Sequence, residues 1–387
     1  MLVAACALQG VFGALLAPAA LSLLTTTFVD PEERGKAFGI FGAVAVGGAA
    51  IGLILGGVLT EYLNWRWCLF VNLAIAVPAA LAATALLHNE VPERRSRIDI
   101  PGTITASTGL FAIVYGLANA ETHSWTDAVT IAMLLAGVVL LAGFVAIQRR
   151  SANPLLPLRV VLDRDRGGSF LAMLLSGAGM FAVFLFLTYY LQQTLAFSPI
   201  QAGLAFLPMT FAIVVSATTA STKLLPKIGP RPLIGGGMLI AAAGLVFLTS
   251  IGVDTAYASH VLPGIMIVGA GLGLVFSSAM ATATLGVQPS DAGVASAMVN
   301  TMQQIGGSIG TALLSTLAAA AVTSDLATSA TARPDAAALA HAAVHGYTTA
   351  FWWAAGIYAV GAIVCAALLT KRSREAASAG EPAFAHG

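Results

Sequence analysis

Stretches free of Asp, Glu, Lys and Arg recur along this chain at the length needed to cross a bilayer, and they organise the rest of the reading. A spanning helix needs roughly 20 apolar residues, and a charge at its centre costs about 2.5 to 3.5 kcal/mol, so charge-free windows mark the spans. Eleven are found, at about 2 to 27, 37 to 60, 67 to 88, 101 to 120, 128 to 148, 168 to 193, 200 to 222, 232 to 251, 260 to 285, 292 to 322 and 347 to 370. The run from Gly167 to Thr222 is too long for one span, and "TLAFSPIQAG", with Ser198 and Pro199, supplies the break. The ten-residue alternation of a membrane β-barrel is absent, so the predicted fold is all-α and polytopic.

Composition agrees: 58% of the 387 residues are hydrophobic and 9% charged, with a mean hydropathy of +0.88, far from a soluble mix. The opening stretch lacks the basic start of a secretory signal, and its uncharged run to Val29 is too long for a signal core. A net charge of +1 gives no reason to expect a nucleic-acid partner. Cys6, Cys68 and Cys365 lie in apolar stretches without CxxC or His/Cys clustering, which predicts neither a disulfide framework nor a metal site.

The basic residues set the orientation. Alternate loops and the C-terminal tail hold sixteen of the eighteen Lys and Arg residues, leaving only Arg66 and Arg333 on the opposite side. By the positive-inside rule the C-terminus is cytoplasmic and Met1 external, in a plasma (inner) membrane. The regular alternation also supports the count of eleven.

An internal repeat follows. "PEERGKAFGIFGAVAVGGAAIG" from Pro31 aligns without gaps to "PSDAGVASAMVNTMQQIGGSIG" from Pro289, pairing Gly35 with Gly293, Gly48 with Gly306 and Gly52 with Gly310. The second and tenth spans are therefore expected to be equivalent helices of two parallel halves. The second span carries Gly39, Gly48, Gly52, Gly56 and Gly57, three of them at four-residue steps. Small residues so spaced let helix backbones approach closely, and taken alone this is ordinary helix packing.

The ordered series of motifs resembles a family, the EmrB/QacA-type fourteen-helix drug:proton antiporters of the major facilitator superfamily. "LVAACALQGVFGALLAPAALSLL", with Cys6, Gln9 and Gly10, is similar to that family's fourth helix. "GIFGAVAVGGAAIGLILGG" resembles its fifth-helix antiporter motif, with Leu53 where the family has Pro. "NWRWCLFVNLAIA", "RIDIPGTITASTGLFAIVYGLANA", "LTYYLQQTLAFSPIQAGLAFLP", "LLPKIGPRPLI", "GAGLGLVFSSAM" and "DAGVASAMVNTMQQIGGSIGTALL" follow in the family's order. The resemblance implies that the chain starts at the family's fourth helix, three helices short. It also implies a division into 1–90 (remaining helices of the N-terminal half), 91–166 (two central helices) and 167–387 (the C-terminal half and tail). The implied activity is proton-driven export of amphipathic or cationic small molecules by alternating access, with no cofactor beyond the proton gradient.

Departures from the family pattern favour an alternative, a non-transporting remnant or a membrane partner subunit; a third option is another major facilitator solute carrier. Cys6 replaces the fourth-helix Arg, and a neutral thiol does not replace a fixed positive charge. Leu53 removes a bend-promoting Pro. Asp99 and Gly102 keep the central DxxG, while Thr105 replaces its usual Leu and Pro226 stands at an acidic position. No span carries an acid near its midplane; Glu61, Asp99, Lys223 and His260 sit at span ends, where a solvated position is the plainer reading.

Uncharged polar groups remain. Ser296, Asn300, Gln303, Gln304 and Gly307 in the tenth span can line a wet cavity, or equally serve inter-helix hydrogen bonding. Phe181, Phe184, Tyr189 and Tyr190 offer aromatic contacts to a cation, although an interfacial belt is the favoured reading for Tyr189 and Tyr190, as for Trp352 and Trp353. "GGSIG" at Gly306–Gly310 and "GAGLG" at Gly269–Gly273 lie inside apolar helices and lack the strand–turn–helix setting of a nucleophile elbow or dinucleotide loop. No enzyme activity is expected.

Overall fold

A computed structural model of the chain describes residues 2–27, 44, 48, 51–86, 99–151, 154–285, 287, 291–328 and 335–369. The described residues form α1 (Leu2–Thr27), α2 (Ile51–Tyr62), α3 (Trp67–Leu86), α4 (Ile100–Thr122) and α5 (Ala128–Arg150). After these come α6 (Leu158–Val161), α7 (Arg164–Tyr189), α8 (Pro199–Ala205), α9 (Leu207–Thr219), α10 (Leu225–Ile228) and α11 (Pro230–Leu248). The series closes with α12 (Leu262–Thr284), α13 (Ala292–Thr328) and α14 (Ala336–Leu368).

Among the described residues nine helical segments are long and apolar enough to cross a membrane. With α1 and the shorter apolar α2 they fall on the eleven charge-free windows. Three spans contain one π-helical turn each, at Tyr190–Thr194, Ala220–Leu224 and Tyr257–Val261. Such turns insert a residue into the helical ladder and bend it.

One boundary departs from the sequence reading. The segment expected as an outer loop, 323 to 346, is largely helical: α13 continues to Thr328, and α14 starts at Ala336 behind an Asp335 cap that accepts the Ala338 N–H. The charge-free criterion finds the part of a helix that sits in lipid, whereas alanine-rich flanks such as "AAALAHAAVH" keep helical propensity beyond it.

The buried core lies in the C-terminal part, where α7 and α12 are enclosed by α9, α11, α13 and α14. Close contacts there depend on glycine. In α12, Gly269 faces the Met209 carbonyl of α9 at 2.6 Å from where its Cβ would be, while Gly271 meets Gly237 and Ala241 of α11, so "GAGLG" packs two neighbours on two faces. Gly179 of α7 lies under the Tyr358 ring, whose hydroxyl donates to the Ser176 carbonyl at 2.9 Å. Cys365 is buried on α14 against the Gly168 carbonyl, Cys6 is exposed and Cys68 half-buried, and all three are free thiols.

The central pair α4 and α5 forms a hairpin closed at both ends. At one end Asp127 caps α5 through Thr130 and Val129 N–H groups and accepts from Asn119 of α4 at 3.0 Å. At the other end Asp99 caps α4 through Gly102 N–H at 2.9 Å and accepts from Gln148 Nε2 of α5 at 2.7 Å. A side chain at Gly102 would strike the Asp99 carboxylate and the Gln148 amide, so the DxxG spacing joins a helix cap to a helix–helix clasp. The Gly102 N–H first, then Gln148, hold the Asp99 carboxyl below the usual carboxylate range.

Candidate functional site: a polar face on α7 and α13 and a glycine seam between α2 and α8

The α7–α13 interface divides the polar set of the tenth span between two faces. Gly306 and Gly310 close directly on α7: a Cβ at Gly306 would lie 2.6 Å from the Leu174 carbonyl carbon, and one at Gly310 would lie 2.5 Å from Ala178 Cβ. Gly177 of α7 meets the Gln303 backbone, and a Cβ at Gly307 would lie 2.6 Å from the Phe181 ring. Gly307 therefore belongs to packing rather than to a wet stripe. Ser296, Asn300, Gln304 and Ser308, at strict four-residue steps, make the adjoining face, on which Asn300 and Gln304 are exposed. Ser308 donates to the Gln304 carbonyl at 3.0 Å, an ordinary intrahelical bond, so the serine of "GGSIG" is no nucleophile elbow.

On α7, Phe181, which covers Gly307, and Tyr189, whose ring lies 6.5 Å from that of Tyr347 on α14, are both partly exposed. The Phe184 ring packs tilted against that of Phe206, centroids 4.9 Å apart. Tyr190 departs from the belt reading. It is fully buried, its hydroxyl donating to the Gly252 carbonyl at 2.8 Å and sharing a hydrogen bond with Thr255 at 2.6 Å. The adjacent pair "YY" straddles the start of a π turn, with Tyr189 exposed and Tyr190 in the core. Trp352 and Trp353 are exposed on α14.

The second feature is a seam along one side of α2. Leu53, Gly57 and Glu61 recur every four residues, and each meets α8. The Leu53 carbonyl lies 2.6 Å from where a Cβ at Gly203 would be, and a Cβ at Gly57 would lie 2.8 Å from the Pro199 carbonyl and from Ile200 Cα. Glu61 Oε2 accepts the Ile200 N–H at 3.1 Å. Two glycines, one per helix, thus bring the backbones of α2 and α8 into direct contact, and a carboxylate closes the end. Gly48, Gly52 and Gly56 point elsewhere, with nothing of the described residues within 4 Å, and Gly39 lies outside the described residues.

Gln9 and Gly10 are exposed on α1, as is Cys6. One ion pair escaped the sequence reading. Arg159 of α6 donates through Nε and Nη2 to Asp291 Oδ2, at 3.1 and 2.8 Å, where α13 begins. Asp291 is nearly buried and Arg159 largely exposed. No group of three or more His, Cys, Asp or Glu suited to a metal occurs among the described residues.

Residues 1–311 match the sequence profile of the Major Facilitator Superfamily. The chain belongs to the Major Facilitator Superfamily. It is accordingly an all-α, multi-pass membrane protein from a superfamily of transporters rather than enzymes. Similar proteins include the puromycin resistance protein pur8 of Streptomyces alboniger, 46% identical over 376 residues, covering 97% of this chain and 74% of that protein. The cephamycin export protein CmcT of Amycolatopsis lactamdurans is 38% identical, over 82% of this chain and 66% of its own length. The tetracenomycin C resistance and export protein of Streptomyces glaucescens is 31% identical over 81% of this chain, which spans 58% of that relative.

Proposed function

We propose that this chain forms the membrane body of a drug exporter of the EmrB/QacA fourteen-helix type, exchanging an amphipathic or cationic compound for protons across the plasma membrane. The observation that carries the reading is the α2–α8 seam. It joins the helix bearing the antiporter-like glycine motif to the C-terminal half, and it does so through backbone contacts that two rocking bundles make and break as a unit. The seam lies at the end opposite the basic loops, hence outside, and closes the external gate, while the C-terminus is cytoplasmic. The exposed Asn300 and Gln304 of α13, with Phe181 of α7 beside them over Gly307, line the drug path, the ring giving apolar and cation–π contact and the amides orientation. Names of the relatives, which refer to puromycin, cephamycin and tetracenomycin, point to bulky antibiotics as cargo.

Within this reading the internal repeat explains the bare glycines Gly48 and Gly52 of the second span. Gly306 and Gly310 seat α13 on α7; their counterparts Gly48 and Gly52 offer the same seat to a helix corresponding to α7 in the N-terminal half. Proton coupling is the part for which this chain offers the fewest groups, because Cys6 stands in place of the family's Arg. That observation supports a second reading, drug movement without proton exchange.

The test is efflux of puromycin from cells expressing the chain, measured with and without a protonophore. Efflux abolished by the protonophore is the expected result. Efflux indifferent to it selects the second reading, and accumulation equal to that of control cells overturns both.

A further inference from the structure

We propose that Glu61 is the latch of the α2–α8 gate, its carboxylate holding the N-terminus of α8 and biasing the protein toward the state closed at that end. The inference rests on the gate reading of the seam.

The first turn of α8 has a closed set of hydrogen bonds in which one partner is foreign. Ser198 Oγ accepts the Gln201 N–H, and Gln201 Oε1 returns the bond to the Ser198 N–H at 2.9 Å. Pro199 has no N–H to satisfy. Ile200 is left with a donor that no helical carbonyl reaches, and Glu61, 139 residues away in sequence, accepts it. This bond is the polar end of a continuous line: Leu53 on Gly203, Gly57 on Pro199 and Ile200, then Glu61 on the Ile200 nitrogen. Separation of α2 from α8 therefore breaks the Glu61 bond, and breaking that bond removes a constraint on separation.

A substitute is absent from the sequence on the α8 side, since the stretch from Leu195 to Thr222 carries no charged residue. On the α2 side the nearest cation, Arg66, lies over the Trp65 ring at 4.9 Å. One ordinary hydrogen bond at a solvent-accessible position shifts a two-state equilibrium by about two- to tenfold.

The experiment is a pair of spin labels at Leu63 and Leu204, exposed positions flanking the latch, in the purified chain in lipid nanodiscs with the three native cysteines replaced. Distance distributions are compared for the labelled parent, Glu61→Gln, which keeps an acceptor of the same shape without the charge, and Glu61→Ala, which removes both. The expected result is a rise in the ratio of separated to closed populations, smaller for Gln and about two- to tenfold for Ala. Distributions that widen when puromycin is added to the parent yet do not respond to either substitution leave the gate standing and overturn the latch. Distributions that answer to neither drug nor substitution overturn the gate reading with it.

Discussion

Replacing Gly306 by Ala adds one methyl group where α13 closes on the α7 backbone, and the structure fixes what that methyl meets. The new Cβ would overlap the Leu174 carbonyl, with the carbonyl carbon 2.6 Å away. The obstacle is backbone, so no rotamer change relieves it, and the helices must part. Parting lifts Gly310 from Ala178 and Gly177 from the Gln303 backbone at the same time. Overpacking of this kind costs about 1 to 3 kcal/mol, the upper end applying where only a helix shift gives relief, while Ala in place of Gly returns about 1 kcal/mol of helix propensity. The expected net loss is roughly 2 kcal/mol. Cys365, buried on α14 against the Gly168 carbonyl of α7, reports it: with Cys6 and Cys68 changed to Ser, a thiol-reactive fluorophore labels the protein only as this region opens on heating. Gly236→Ala is the matched control, because nothing lies within 4 Å of the methyl it adds. It should label at the parent temperature or above, while Gly306→Ala should label several degrees lower. Equal midpoints for the two variants would refute the close-packing argument.

Gly57→Ala meets the Pro199 carbonyl and Ile200 Cα at 2.8 Å only while the seam is closed. It should therefore raise the open population about tenfold in the spin-label measurement, without the drop in midpoint predicted for Gly306→Ala. Because its N–H and amide partners hold the Asp99 carboxyl below its ordinary 3.8, the α4–α5 clasp contributes stability in full above that value and loses it as pH falls through the depressed one. Hydrogen exchange at the start of α4 should accelerate in that acid range, and Asp99→Asn should flatten the dependence. Asp291→Asn or Arg159→Gln should each destabilise by about 1 to 2 kcal/mol, between surface and buried pairs because one partner is exposed; denaturant midpoints check it, and a double variant no worse than Asp291→Asn alone shows the coupling. Asn300→Leu and Gln304→Leu should lower puromycin resistance at unchanged expression, since both amides are exposed and their loss leaves the packed faces of α13 untouched.

The membrane fold was legible in the sequence because lipid imposes one dominant rule: a charge near mid-bilayer is expensive, so charge-free windows trace the helices directly. The same rule explains where the reading stopped. It carries no information on helix length beyond lipid, which is why the flanks of α13 and α14 were taken for a loop. Nor does it give the rotation of a helix about its axis. Ser296, Asn300, Gln303 and Gly307 satisfy one approximate periodicity, yet at about 100° per residue steps of three and four drift to opposite sides of a stripe. Gly307 drifted onto α7 and Asn300 into the open.

The two contacts of greatest consequence, Glu61 with Ile200 and Arg159 with Asp291, join residues 139 and 132 positions apart. Glu61 was read as a solvated span end, the plainer assignment for a carboxylate at a helix terminus. What the sequence did carry was indirect: Glu61 continues the four-residue step of Leu53 and Gly57, and Asp291 occupies the repeat position of Glu33. Periodicity through a glycine stripe into a charged terminus is a signal for a carboxylate that acts on the packed neighbour rather than on water. In this chain the stripe, its glycine partner and the carboxylate fall on one seam between α2 and α8, so that in the proposed gate a single bond biases the movement of both helices.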